Sequence, residues 1–425
     1  MKKSALSHVR LVAAFLGMVG LASCNGGVHI TKPPSGLTER VLASQSASSP
    51  TASPGLVIID GQFDTVGRGE VGAGTSPSLM AISPERSTLL SFDQISNKVD
   101  IIHTTTESLT GSIQLPGPTM SMAVPDSSTG YAAVPAAPLT GSPPGAIIEM
   151  NLASGGITAT IGVPNAQTVI ANSDGTQLLA FSNDSDSVTI VSPLLLNSGS
   201  PLTTTVPGFD RPVYGFFNGS NAYILNCGAE CGGTQASVQI LNLGTSPPSA
   251  GAALPVDAAT IGYLVGSTLY VVGTSPTNNA CTGETTAATT CGRLDIVDVG
   301  SMTVTATYVI TDGYHDRIDL GLNSQLFIGS HACTNSGNVN NVTGEVRGCL
   351  SVYNVPGNTV VIPPDNGDVT GLQGFTTRYA EYVAQGGNLR VYDTITDTLL
   401  DTTFISTGTI VITGVIIDVK AVDFF

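Results

Sequence analysis

Residues 169–192, VIANSDGTQLLAFSNDSDSVTIVS, decide the fold. Three short apolar runs, 169–171, 178–181 and 188–191, are separated by Ser173-Asp174-Gly175 and by the polar stretch 183–187. Short apolar runs divided by turn formers read as an antiparallel meander. Outward from this stretch, the third run has seven counterparts. They are Leu56–Asp60, Val99–His103, Ile147–Asn151, Val238–Asn242, Leu294–Asp298, Leu350–Asn354 and Leu389–Asp393. Each of the eight is closed by one polar residue: Asp60, His103, Asn151, Ser192, Asn242, Asp298, Asn354 or Asp393. Asx and Ser side chains fit this place because they can bond the backbone about two residues on and so set a turn. His103 departs from the pattern and reads as one more turn residue.

A second strand precedes each of these, as in Tyr131–Val134, Tyr223–Asn226, Leu269–Val272 and Leu326–Gly329. A further strand precedes that one, and a Thr/Val-rich strand follows the polar turn. Four short strands repeating at about 40–50 residues predict an all-β fold, a single β-propeller of four-stranded blades. The register counts eight blades, with seven as the alternative. The first unit, from Arg40, lacks an innermost strand, and Gly414–Lys420 near the C-terminus has the character of one. That segment is expected to complete the first blade and close the ring, because an unclosed ring exposes two sheet edges. The other reading is an eighth blade with a frayed extra strand. The apolar run Thr409–Val419 is too short to span a bilayer.

Ser173-Asp174-Gly175, Tyr223-Ile224-Leu225-Asn226 and Val391-Tyr392-Asp393-Thr394 resemble the YVTN-type propeller repeats of bacterial surface proteins. The likeness covers residues 40–425, although no unit carries a complete Tyr-Val-Thr-Asn and three carry long insertions. Propellers of that family are mostly seven-bladed. The resemblance implies a fold and a surface location, and no single activity.

Composition narrows the function classes. Of 425 residues only 11% are charged, and the formal net charge is −16. No basic footprint for nucleic acid exists. The chain has no Trp, which argues against WD-type and quinoprotein propellers, and no Cys-x-x-Cys-His, which argues against covalent haem. No Gly-x-Ser-x-Gly or phosphate loop is present, and no cofactor is expected. His29, His103, His315 and His331 are scattered over different units, which disfavours a zinc site. Asn183–Ser187 and Asp365–Asp368 look like fragments of Ca²⁺ loops, but they lack the distal Glu and sit where turn formers are wanted.

Lys2, Lys3 and Arg10 precede the apolar run Leu11–Leu21, a cleavable signal by its length and flanks. Leu21-Ala22-Ser23-Cys24 resembles the bacterial lipobox, which implies lipid on Cys24. An ordinary small-residue cleavage site is the other reading. The expected organisation is a signal peptide at 1–23, a lipidated Cys and tether at 24–39, and the propeller at 40–425. The expected location is the bacterial cell envelope, at the outer membrane or cell surface, with the membrane itself as one partner through the lipid.

Two groups of candidate site residues stand out. Asp210, Arg211, Asp257, His315, Asp316, Arg317 and Asp368 fall at the entries to innermost strands of different blades and converge on one channel mouth if the ring is right. Asp312 and Asp319 make the stretch around His315 the densest ionisable cluster of the chain. It reads either as a polar binding or acid–base site or as local bridging at crowded strand starts. The six remaining cysteines pair by register: Cys227 with Cys231, Cys281 with Cys291, and Cys333 with Cys349. Each pair then lies in one loop, between the same two strands of successive blades. All three loops are expected on the face bearing the mouth cluster, with the insertions at 44–55 and 135–145, and only short turns on the other face. Two functions follow: a non-catalytic binding or scaffold propeller acting through that face on a protein or small-molecule ligand, or a lactonase-like hydrolase at the channel mouth.

Overall fold

The computed structural model describes residues 33–46, 54–182, 184–196, 202–281, 290–334, 348–364, 366–400 and 408–423. Cys24 and the signal segment lie outside them. Residues 33–425 form one compact unit. Eight antiparallel sheets carry the fold. The innermost strands of blades two to eight are Pro77–Ile82, Ser121–Ala123, Ala166–Ala171, Pro212–Asn218, Ile261–Val265, Tyr314–Leu320 and Val369–Gly374. Each touches its counterpart in the next blade, and the circuit returns through Val415–Asp423. The ring therefore has eight blades.

Blade one is assembled from both ends of the chain. Val415–Asp423 is its innermost strand and pairs with Glu39–Ser46, with Arg40 opposite Val422 and Val41 opposite Ala421. Glu39–Ser46 pairs in turn with Gly55–Asp60. The closure expected from Gly414–Lys420 is thus present. Its apolar residues Ile416, Val419 and Ala421 pack with Tyr382 and Val391 of blade eight, and Val422 packs with Met80 and Leu89 of blade two. This burial of aliphatic surface between stacked sheets is what holds neighbouring blades together.

Every third strand expected from the sequence is the third strand of a blade. The polar closing residues act as turn setters: Asp60 Oδ1 accepts from Gln62 N at 2.9 Å, Asn151 Oδ1 from Ser154 N at 2.8 Å and Asn354 Oδ1 from Gly357 N at 2.8 Å. Four residues past the closing residue the backbone is left-handed in six blades, at Asp64, Glu107, Gly155, Met302, Asn358 and Asp397. His103 holds the same place, its ring Nδ1 3.3 Å from Thr106 Oγ1. Part of the expected tether docks on the ring: Ser35 Oγ donates to Glu107 at 2.6 Å, and Leu37 packs beside Ile58 and Leu42.

Candidate functional site

In this topology, the entries to innermost strands and the loops from second to third strands share one end of the channel. The three cysteine-bearing loops all join second to third strands, in blades five, six and seven. The disulfides are Cys227–Cys231, Cys281–Cys291 and Cys333–Cys349. The insertion at 135–145 lies at this end too, as do the described parts of 44–55. Among the described residues, the opposite end carries short turns, with an exception in blade four that the sequence did not announce, where a 3-10 turn at Pro193–Leu195 follows the third strand.

At the looped end, the aspartates that precede the innermost strands hold the loops by accepting their backbone donors. Asp210 accepts from Thr234 N at 3.0 Å and Gln235 N at 2.8 Å. Burial raises its carboxyl, but these donors outweigh it and hold the group below the usual range. The loop closes so tightly on Asp210 that a Cβ on Gly233 would lie 2.0 Å from Oδ1. Asp312 accepts from Thr334 N at 2.9 Å in its own blade and from Thr290 Oγ1 at 2.5 Å in blade six, so one carboxylate joins two disulfide loops. Asp368 accepts from Ala332 N of blade seven at 3.0 Å. Glu230, inside the Cys227–Cys231 turn, accepts from Thr274 N of blade six at 2.9 Å. Burial pushes its carboxyl up to about 7, against the opposing effect of that one donor.

The remaining candidates separate. Asp257 lies 3.6 Å from Arg293, whose guanidinium also donates to Ala280 O at 2.8 Å. Asp316 lies 3.0 Å from Arg317 and 3.5 Å from His331. His315 and His331, expected in different units, share blade seven on paired strands, because the second strand folds back beside the innermost one. Arg317 Nε donates to Thr370 O at 2.7 Å. Arg211 sits 3.9 Å from Asp184 and 3.8 Å from Asp186, so a guanidinium occupies the place a cation would take in the 183–187 segment. Asn183 and Asp365 lie outside the described residues. His315 is fully buried with no hydrogen-bond partner on either ring nitrogen, so its imidazole does not present itself at the mouth. Burial drives it down to about 4, although Asp312 and the Thr311 backbone act the other way. Among the described residues, no hydrogen bond or ion pair joins Asp210, Asp257, Asp316 and Asp368 to one another. Cys333, Cys349 and Asp368 bring potential metal-ligand atoms together, but both sulfurs are spent in the disulfide.

The short-turn end holds features the sequence reading missed. A cavity of about 620 Å³ lies against the inner strands of blades four to six, lined by Ile170, Tyr214, Phe216, Phe217 and Leu264 with Asn172 and Gln177. Tyr214 and Phe216 meet edge to face, 5.4 Å between ring centroids. One arc further on, Asp319 Oδ2 accepts from Gly374 N at 2.9 Å. Glu381 is fully buried beside the same glycine, where an added Cβ would lie 2.5 Å from its Oε2. Burial first, and then the Asp319 carboxylate, push the Glu381 carboxyl well above its ordinary value. Burial, Asp319 and Glu381 together push the Tyr263 hydroxyl up to about 12. The signal available in sequence was an acidic residue beside the apolar core Tyr-Val-Ala of the strand Ala380–Gln385.

No protein-family model and no curated protein matches the sequence. Many solved structures share the fold. The dihydro-heme d1 dehydrogenase NirN in complex with DHE superposes with a TM-score of 0.63 at 9% identity, over 92% of this chain and 79% of that one. Hydrazine synthase of Kuenenia stuttgartiensis gives 0.53 at 13% identity, over 77% and 96%. A putative 6-phosphogluconolactonase from Bacteroides fragilis gives 0.50 at 12% identity, over 91% and 98%. At such identities the likeness is one of fold alone.

Proposed function

We propose that the protein is a lipid-anchored propeller of the bacterial cell envelope that binds a protein or small-molecule partner, without catalysis, through its looped end. The observation that carries this reading is the placement of three disulfides in matching loops of three successive blades. Loops that are bridged, and whose backbone donors are already met by Asp210, Asp312 and Asp368, lose less conformational entropy when they meet a partner. Carboxylates filled by backbone donors are poor general bases, so the same contacts weigh against a lactonase-like hydrolase at this mouth. Anchoring rests on the Lys/Arg-flanked apolar run and Cys24.

One experiment tests both parts. Wild type and Cys24→Ala are expressed with a photo-crosslinking residue at Thr277, on the looped end, or at Gly219, on the short-turn end. Wild type should fractionate with membranes and Cys24→Ala should not. One discrete crosslinked species should form from position 277 and be absent from 219. Equal fractionation of the two proteins overturns the anchor, and crosslinking from 219 alone overturns the choice of face.

A further inference from the structure

The N-terminal segment leaves the ring at a fixed point, at the end opposite the cysteine loops. Ser35 donates to Glu107 through its N–H at 2.7 Å and through its hydroxyl at 2.6 Å. Glu107 follows the third strand of blade two, at the short-turn end, and is paired with Arg40 at 2.7 Å. Leu37 packs behind it beside Leu42 and Ile58. Only residues 25–32 separate Cys24 from Pro33, a chain that spans at most about 30 Å. The same end carries most of the exposed large apolar side chains among the described residues. Phe63, Leu194, Leu196, Leu322, Tyr379 and Ile395 stand in its turns. Turn geometry asks for Gly, Asx and Ser, and nothing in it asks for an exposed Leu, Ile or aromatic ring. Asp60, Glu85, Asp126, Asp174, Asp298 and Asp393 lie in the same set of turns, whereas Arg86 and Arg378 are committed to Asp423 and Asp64.

We infer that the short-turn end rests on a lipid bilayer of zwitterionic headgroups, with the looped end turned away from it; the inference builds on the reading of Cys24 as the lipid anchor. A lipid on Cys24 keeps its membrane within about 30 Å of the exit beside Ser35, so the exit end is the one brought to the surface. So short a linker gives a millimolar effective concentration, at which a few inserted side chains suffice. Leu194, Leu196, Leu322 and Ile395 enter the boundary between headgroups and acyl chains, and Tyr379 suits the headgroup level. The turn carboxylates decide the headgroup class. With both turn arginines paired within the ring, an anionic surface would repel this end, whereas a zwitterionic one leaves the apolar contacts to act. The two ends then have separate tasks: short apolar turns meet the bilayer, and bridged loops meet the partner.

The test places a genetically encoded, environment-sensitive fluorophore at Leu194 or at Ile95. Leu194 is 74% exposed at the short-turn end, and Ile95 is 71% exposed between the second and third strands of blade two, at the looped end, so apolar exposure alone does not separate them. One arm uses the chain as a bacterium processes it, reconstituted in phosphatidylcholine vesicles. The other uses residues 25–425, which keep the whole compact unit and lack Cys24, mixed with the same vesicles at millimolar lipid. In both arms emission from position 194 should shift to the blue and be quenched by spin-labelled phospholipid about threefold or more above position 95. Phosphatidylglycerol mixed into the vesicles should weaken association of residues 25–425, and salt at about 0.5 M should restore it by screening. Leu194→Asp with Ile395→Asp should lower its co-sedimentation with phosphatidylcholine about fivefold and leave its thermal melt unchanged. The docking surface is overturned if residues 25–425 show no vesicle-dependent change at 194, or if 95 and 194 are quenched equally. Tighter association with phosphatidylglycerol overturns the zwitterionic assignment. Mass spectrometry showing no lipid on Cys24 overturns the anchor instead, and the second arm then decides the docking surface by itself.

Discussion

The looped end of blades five to seven and the closing seam of blades eight, one and two solve different problems with different chemistry. At the looped end the bonds are short-range. Disulfides span 4, 10 and 16 residues, and Asp210 reaches only 24 or 25 residues along the chain. At the seam they join the two ends of the sequence. Arg378 pairs with Asp64 across 314 residues, and Arg86 with Asp423 across 337. Arg40 bonds Glu107 and the Thr104 carbonyl, both at 2.7 Å. The seam pairs are largely buried, where an ion pair fixes one register because its loss leaves a stranded charge. The difference teaches that order within a loop and order of the whole ring are specified separately here.

The largest effect should come from removing the closing strand. A chain ending at residue 414 loses the partner of Glu39–Ser46 and the packing of Ile416, Val419 and Ala421. It should show no cooperative thermal transition by circular dichroism and should aggregate on size exclusion. A melt like that of the full chain would mean that closure is not what orders the ring. Next comes Arg378→Ala, which strands Asp64, buried and bonded also by Tyr382. A loss of about 3–5 kcal/mol in urea unfolding is expected, and adding Asp64→Asn should recover part of it. A loss below about 1 kcal/mol would place the seam pair among ordinary surface bridges.

The smallest effect belongs to the looped end and appears as a pH slope. The Glu230 carboxyl titrates near 7 when folded and in the ordinary range when unfolded. Between these values the folded state holds the extra proton. The contribution is complete below the unfolded value and is lost as pH rises through about 7, at no more than about 1 kcal/mol per pH unit. Glu230→Gln should flatten that slope in denaturant midpoints measured from pH 4.5 to 8, and an unchanged slope would assign it elsewhere. His315, driven down to about 4, slopes oppositely: its contribution is present above the unfolded value and is lost as pH falls toward 4. A Glu230→Gln/His315→Asn comparison therefore separates the two.

Blade number, the closing strand and all three cysteine pairs were legible because each is written in a repeating register. Strand alternation, the closing Asx residue and the loop position of each Cys recur at matched places. Asp210, Asp312 and Asp368 were legible in position but not in role. An aspartate before an innermost strand looks the same in sequence whether its carboxylate faces solvent or caps the loop above it. His315 was read as part of the mouth. The register shift beside Asp316 decides which way neighbouring side chains point there, and no residue type announces that shift. The Asp319–Glu381 pair escaped because its members are 62 positions apart and meet only where blade seven packs on blade eight.

The closing strand also sets an order of events during synthesis. Ser44 bonds Asp418, 374 positions later, so the edge of Glu39–Ser46 emerges early and waits for nearly the whole chain. Contacts of such sequence separation form slowly, and an unpaired edge invites pairing with another copy. Of the six residues Glu39–Gln45 spans beyond its first, five are apolar or uncharged, so the waiting edge has little charge of its own to deter a wrong partner. Arg40 is the exception, and its guanidinium is claimed by blade two, which is made next. Folding yield should accordingly depend on how soon the last strand arrives, more than on any bond within the finished ring.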